Sequence, residues 1–140
     1  MAITTASNTA SNRTLLVVDD SPDWRDLVAI LLELNGYNVV AVENGLEAYR
    51  VLENGLDPAM ILLDLQMPGF DALWFLAQRR PNPRMARIPV VLLSNDGDVA
   101  KTAAAFDVPG MTKPLDINQL LSLIQSTIGQ QPAGSATRVR

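Results

Sequence analysis

Five times between Arg13 and Gly129, a short run of β-branched and leucine residues gives way to a longer segment whose apolar residues recur at helical spacing. That alternation predicts a parallel sheet, because each strand can rejoin its neighbour only through a crossover helix. Leu15 to Val18 is apolar without alternation, as expected for a strand covered on both faces. Ser21-Pro22 then supplies an N-cap and a first-turn proline, and Leu27, Ile30, Leu31 and Leu34 repeat at helical spacing up to Asn35-Gly36. The same reading gives strands at Tyr37 to Val42, Ala59 to Leu63, Ile88 to Leu93 and Val108 to Met111. Helices follow at Gly45 to Glu53, Asp71 to Arg80, Asp96 to Ala105 and Asp116 to Ile128. The expected fold is a single doubly wound α/β domain with helices on both faces of a five-stranded sheet.

In such sheets ligands bind beyond the carboxyl ends of the strands, so the residues that follow each strand bear on function. Strand one runs into Asp19-Asp20, strand three into Asp64, strand four into Ser94 and strand five into Thr112-Lys113. The chain of 140 residues contains no histidine and no cysteine. This excludes disulfides, thiol nucleophiles, Cys/His zinc sites and histidine-based triads. What remains is chemistry by carboxylates, hydroxyls, lysine and arginine. Three convergent carboxylates without nitrogen or sulfur ligands form the oxygen environment preferred by Mg²⁺, and an aspartate there can act as a phosphoryl-accepting nucleophile. A lysine and a serine hydroxyl would then meet the phosphoryl oxygens.

These residues carry a resemblance. The strand-end pair in LLVVDDSP, the run ILLDLQMPG, the hydroxyl after VVLL and the Lys-Pro of MTKPL resemble the response regulator receiver domain of two-component signalling. Asp20 to Asp64, Asp64 to Ser94 and Ser94 to Lys113 are spaced by 44, 30 and 19 residues, which also fits that family. The resemblance implies a flavodoxin-like sheet in the order 2-1-3-4-5. It implies that Asp64 is the phosphoacceptor, that Asp19, Asp20, Asp64 and the Gln66 backbone carbonyl hold Mg²⁺, and that Ser94 and Lys113 engage the phosphoryl group. It further implies a cis bond between Lys113 and Pro114, and a phosphoryl lifetime tuned to short or intermediate length by Gln66 and Asp96.

The sequence departs from the family pattern mainly on the output side. Gly110 stands where most receivers have an aromatic, Asn95 where a small residue is usual, Phe106 where a glycine is expected, and Asp71-Ala72 in place of Asp-Gly. The expectation is that phosphorylation works while signalling propagates atypically, through the loop after strand four and the start of helix four. The implied partners are a histidine kinase or phosphotransfer protein as donor and a separate output protein, with the receiver monomeric or a weak dimer. An alternative is a degenerate receiver serving as a constitutive protein-interaction module. An Mg²⁺-dependent phosphohydrolase is disfavoured, because Gln66 occupies the position where such enzymes need a second acid.

Each of these residues also has a plainer reading. Asp19-Asp20 alone reads as a strand-to-helix turn, Asp64 as a turn acid before Met67-Pro68-Gly69, Ser94 as a helix cap and Lys113 as a surface lysine; their convergence at strand ends outweighs these. The four arginines of RRPNPRMAR read as a solvated loop, and Trp24, Trp74 and Phe75 as helix residues packed partly on the core. With 15 acidic and 11 basic residues the formal charge is −4, which argues against direct nucleic-acid binding. No apolar run is long enough to cross a bilayer and no signal peptide is evident, so a cytoplasmic location is expected. Residues 1–12 and 130–140 read as flexible tails around a receiver domain at 13–129, leaving no room for an output domain.

Overall fold

The computed structural model describes residues 12–68, 71–95, 99–113 and 115–129. Five parallel strands, β1 (Thr14–Val18), β2 (Asn38–Val42), β3 (Met60–Asp64), β4 (Val90–Ser94) and β5 (Gly110–Thr112), lie in the order β2-β1-β3-β4-β5. The connecting helices are α1 (Pro22–Leu34), α2 (Gly45–Glu53), α3 (Asp71–Arg79), a single turn α4 (Pro83–Ala86), α5 (Val99–Phe106) and α6 (Ile117–Gly129). The doubly wound architecture and strand order agree with expectation. β1 begins one residue earlier than its apolar run and β2 one later, both ending at the expected Val18 and Val42, whereas β3, β4 and β5 begin and end one or two residues later than expected, so that Asp64 and Ser94 are the last residues of β3 and β4 rather than the first beyond them.

Alternate residues of the three central strands feed two separate cores. Leu16, Val18, Ile61, Leu63, Val90 and Leu92 pack with Leu52, Phe75, Leu76 and Met85 on one face. Leu15, Val17, Met60, Leu62, Val91 and Leu93 pack with Val28, Leu32, Leu120 and Ile124 on the other. Full burial of one such side chain contributes roughly 1.5–3 kcal/mol, so β1, β3 and β4 form a stiff platform under the residues at their carboxyl ends. Helix ends follow the sequence signals closely. Ser21 caps α1 through its side chain, Asn44 caps α2, and Gly36 and Gly55 take positive φ just past the two helices.

Two local readings are corrected. On α1 the expected apolar stripe is not the buried one: Val28 and Leu32 enter the core, while Leu27, Ile30 and Leu34 are 54%, 55% and 78% exposed. The helix is apolar on two stripes, and the neighbouring Tyr37 and Leu15 select the Val28 side. The arginine-rich segment is not a simple solvated loop either. Arg79 is buried and donates to the carbonyl of Ile88 at 3.1 Å; Arg84 bonds the carbonyls of Leu52 and Leu56, securing α4 to the end of α2.

Gly45, the first residue of α2, meets the first turn of α3 so closely that a Cβ there would lie 2.4 Å from the Asp71 carbonyl oxygen. Substitution Gly45→Ala must therefore push two helices apart, and chemical denaturation should show a loss of about 1–3 kcal/mol.

Candidate functional site

The first group is placed by the end of β1. Asp19 follows Val18 directly and is buried, its N–H donating to the Val42 carbonyl at 3.1 Å. Its Oδ1 accepts from the Ser21 N–H at 2.8 Å, and Arg25 holds the Asp19 carbonyl at 2.8 Å from the first turn of α1. Asp20 is exposed beside it. Asp64 ends β3, buried, with Oδ1 accepting the Gln66 N–H at 3.1 Å. One carboxylate oxygen each from Asp19, Asp20 and Asp64 lie within 4.8 Å of one another.

Lys113 arrives from the opposite side of this acidic cluster. It follows Thr112 at the end of β5, and its backbone N–H donates to the Ser94 carbonyl at 2.8 Å, which ties the ends of β4 and β5 together. Its Nζ lies 2.9 Å from Asp19 Oδ2 and 3.6 Å from Asp64 Oδ1. Ser94 is buried at the end of β4, in register with Thr112. The strand ends thus bring Asp19, Asp20, Asp64, Ser94 and Lys113 to one edge of the sheet. Gln66 lies on the same rim. Its side-chain oxygen accepts the Asn95 N–H at 2.7 Å, which bridges the loops after β3 and β4.

Three carboxylates faced by one ammonium leave a local charge of −2, which one divalent cation would balance. The donors are all oxygens and Asp20 keeps the site open to solvent, so the set suits an ion that retains several waters, as Mg²⁺ does. Burial pushes the Asp64 carboxyl above the ordinary carboxylate value; the charges of Asp19 and Asp20 push the same way, and the Gln66 N–H and Lys113 oppose them.

Other contacts at the site do not follow from the sequence pattern. The centre of the Trp24 ring, in the first turn of α1, lies 4.1 Å from Lys113 Nζ. Arg25 and the Gln66 side chain are likewise structural parts of the rim. The position of Trp24 just after the acidic pair places it near the site in sequence, but its stacking on Lys113 depends on where β5 ends. Gly110 packs under α5, where a Cβ would lie 3.0 Å from Val99 Cγ2 and 3.2 Å from Ala103 Cβ. The residue with positive φ after α5 is Asp107, not Phe106. Pro114 and Asp96, and with them the implied cis bond and one lifetime residue, lie outside the described residues, as do 1–11 and 130–140. Among the described residues no helix is long and apolar enough to cross a membrane.

Residues 15–125 match the family profile described as the response regulator receiver domain. The DNA-binding dual master transcriptional regulator RpaA of Synechocystis is 32% identical over 117 residues, 81% of this chain and 48% of the relative. An uncharacterised 14.6 kDa protein of Leptolyngbya boryana is 33% identical over 122 residues, 84% of this chain and 91% of the relative. This chain therefore spans about half the length of the first and nine tenths of the second. Among solved structures, the receiver domain of the Pseudomonas aeruginosa sensor histidine kinase PA1611, with a magnesium ion coordinated in its active-site cleft, aligns with a TM-score of 0.76. It is 24% identical and covers 86% of this chain and 100% of its own.

Proposed function

The chain belongs to the response regulator receiver domain family, and on that premise we propose that it is phosphorylated on Asp64 by a partner histidine kinase or phosphotransfer protein, with Mg²⁺, and signals through a separate partner. The observation that carries this reading is the meeting of Asp64 with Asp19, Asp20 and Lys113 at one edge of the sheet. The Asp64 carboxylate attacks phosphorus in the donor's phosphohistidine; the new O–P bond forms as the P–N bond breaks, and the imidazole leaves with a proton from solvent. Lys113, already 3.6 Å from Asp64, supplies positive charge toward the transferred group. Ser94, at the neighbouring strand end, offers a hydroxyl donor to a phosphoryl oxygen. Asp19 and Asp20, with Asp64 and the Gln66 carbonyl, would hold the Mg²⁺, which when bound neutralises phosphoryl charge.

The domain is a signalling module, and self-phosphorylation and dephosphorylation are its only proposed reactions. A cytoplasmic location fits a donor phosphorylated at the expense of nucleotide. The completeness of the acidic cluster and its lysine disfavours the constitutive-module alternative. Incubation with Mg²⁺ and a small-molecule phosphodonor, read by intact mass, should add one phosphoryl group to the wild-type chain and none to Asp64→Asn. Absence of a gain in wild type, or an equal gain in the variant, contradicts the proposal.

A further inference from the structure

We infer that Trp24 is a positioning residue for Lys113, its indole face holding the ammonium group against the acidic cluster. This inference rests on the phosphoacceptor reading for its kinetic consequence, but its geometric basis is independent of it. The ammonium has three N–H donors and is caught between two unlike surfaces. On one side are Asp19 Oδ2 at 2.9 Å and Asp64 Oδ1 at 3.6 Å; on the other, the Trp24 ring centroid lies 4.1 Å away. The Lys113 side chain is only 12% exposed, so the ring stands where water would otherwise solvate the third donor.

Trp24 is itself fixed from below. It lies in the first turn of α1, its backbone N–H facing the Ser21 Oγ cap at 3.4 Å, and the next residue, Arg25, anchors the same turn to the Asp19 carbonyl. The turn that carries the ring is therefore tied to the strand that carries the acids. A four-carbon side chain reaching across from β5 would otherwise sample many rotamers, and the ring removes those that point to solvent. Exclusion of water on that side also strengthens the pull of Lys113 on the charge of a phosphoryl group transferred to Asp64.

The test compares Trp24→Leu with Trp24→Phe. In proton NMR of the unphosphorylated protein, the Lys113 side-chain methylene and ammonium signals should be shifted upfield by the ring current and the ammonium protons protected from exchange. Leucine at position 24 should abolish the shift and speed exchange, and phenylalanine should retain most of both. In phosphorylation by a small donor, Trp24→Leu should be slower by about threefold to tenfold at saturating donor and Trp24→Phe within about twofold of wild type. The Mg²⁺ affinity of both should hold or rise, because a lysine released from Asp19 and Asp64 leaves more negative charge for the ion to balance; a site merely loosened by the substitution would lose affinity. Unshifted Lys113 signals in wild type, or a Trp24→Leu rate equal to wild type, would overturn the inference. Should the wild type accept no phosphoryl group, the phosphoacceptor reading fails, while the ring-current and exchange data still decide the placement of Lys113.

Discussion

Replacing Lys113 by methionine should lower the melting temperature by about 12 °C at neutral pH. The ammonium is the countercharge at Asp19 and Asp64, and the Asp19 side chain is only 1% exposed. Removing one partner of a buried pair leaves the other charge desolvated and uncompensated, a loss of about 3 kcal/mol, and for a domain of this size each kcal/mol corresponds to roughly 4 °C. Methionine keeps the stem volume, so the loss reports charge rather than packing. The deficit should shrink as pH falls and Asp64, whose carboxyl burial pushes above its ordinary value, takes up a proton, and Mg²⁺ should restore part of it, because a divalent ion supplies the missing positive charge. Phosphoryl acceptance should slow by about tenfold or more, since the positive charge facing Asp64 is gone. Thermal unfolding of wild type and variant across pH, with and without Mg²⁺, checks each part; equal melting temperatures at pH 7 would mean that Lys113 does not neutralise the cluster.

The second large effect has the opposite sign. Asp64→Asn should abolish phosphoryl acceptance and yet stabilise the fold at neutral pH without Mg²⁺ by about 1 kcal/mol, roughly 4 °C. Burial, reinforced by Asp19 and Asp20, raises the native Asp64 carboxyl above its ordinary value of 3.8. Between that value and the raised one, the native state holds a proton that the unfolded chain has released. Wild-type stability from this group therefore falls as pH rises through the window, and the lost stability is fully missing above it. Asparagine has no such dependence. The two melting curves should coincide near pH 3.5 and separate as pH rises, the variant lying higher. Addition of Mg²⁺ should narrow or reverse the gap, because only the wild type presents all three carboxylates. A variant less stable than wild type at pH 7 without Mg²⁺ would show that the Asp64 charge is compensated within the protein.

Both effects come from residues visible in the sequence, because strand ends can be located from apolar runs and a doubly wound sheet gathers them at one edge. Asp19, Asp20, Asp64, Ser94 and Lys113 were legible for that reason, as were the helix stops at Gly36 and Gly55. What the sequence hid depends on tertiary neighbours. The choice between two apolar stripes on α1 is made by Tyr37 and the β1 side chains, not by periodicity. The burial of Arg79 and the carbonyl contacts of Arg84 depend on how the α3–β4 segment folds back on the end of α2. Trp24 lies in the same turn as residues already singled out, yet its partner is 89 residues away in the chain, and only the placement of β5 brings them together. Gly110 read as a missing aromatic; in the structure its lack of a Cβ lets Val99 and Ala103 of α5 approach β5 closely.

The most direct test of the account is to find where the phosphoryl group sits. After incubation with a phosphodonor, borohydride reduction of the acyl phosphate and peptide mass mapping should place a single reduced residue at Asp64, dependent on Mg²⁺ and lost when both Asp19 and Asp20 are replaced by asparagine. Modification at another carboxylate, or labelling of Asp64 that proceeds equally well without Mg²⁺, would contradict the assignment of this acidic cluster as a metal-assisted phosphoacceptor site.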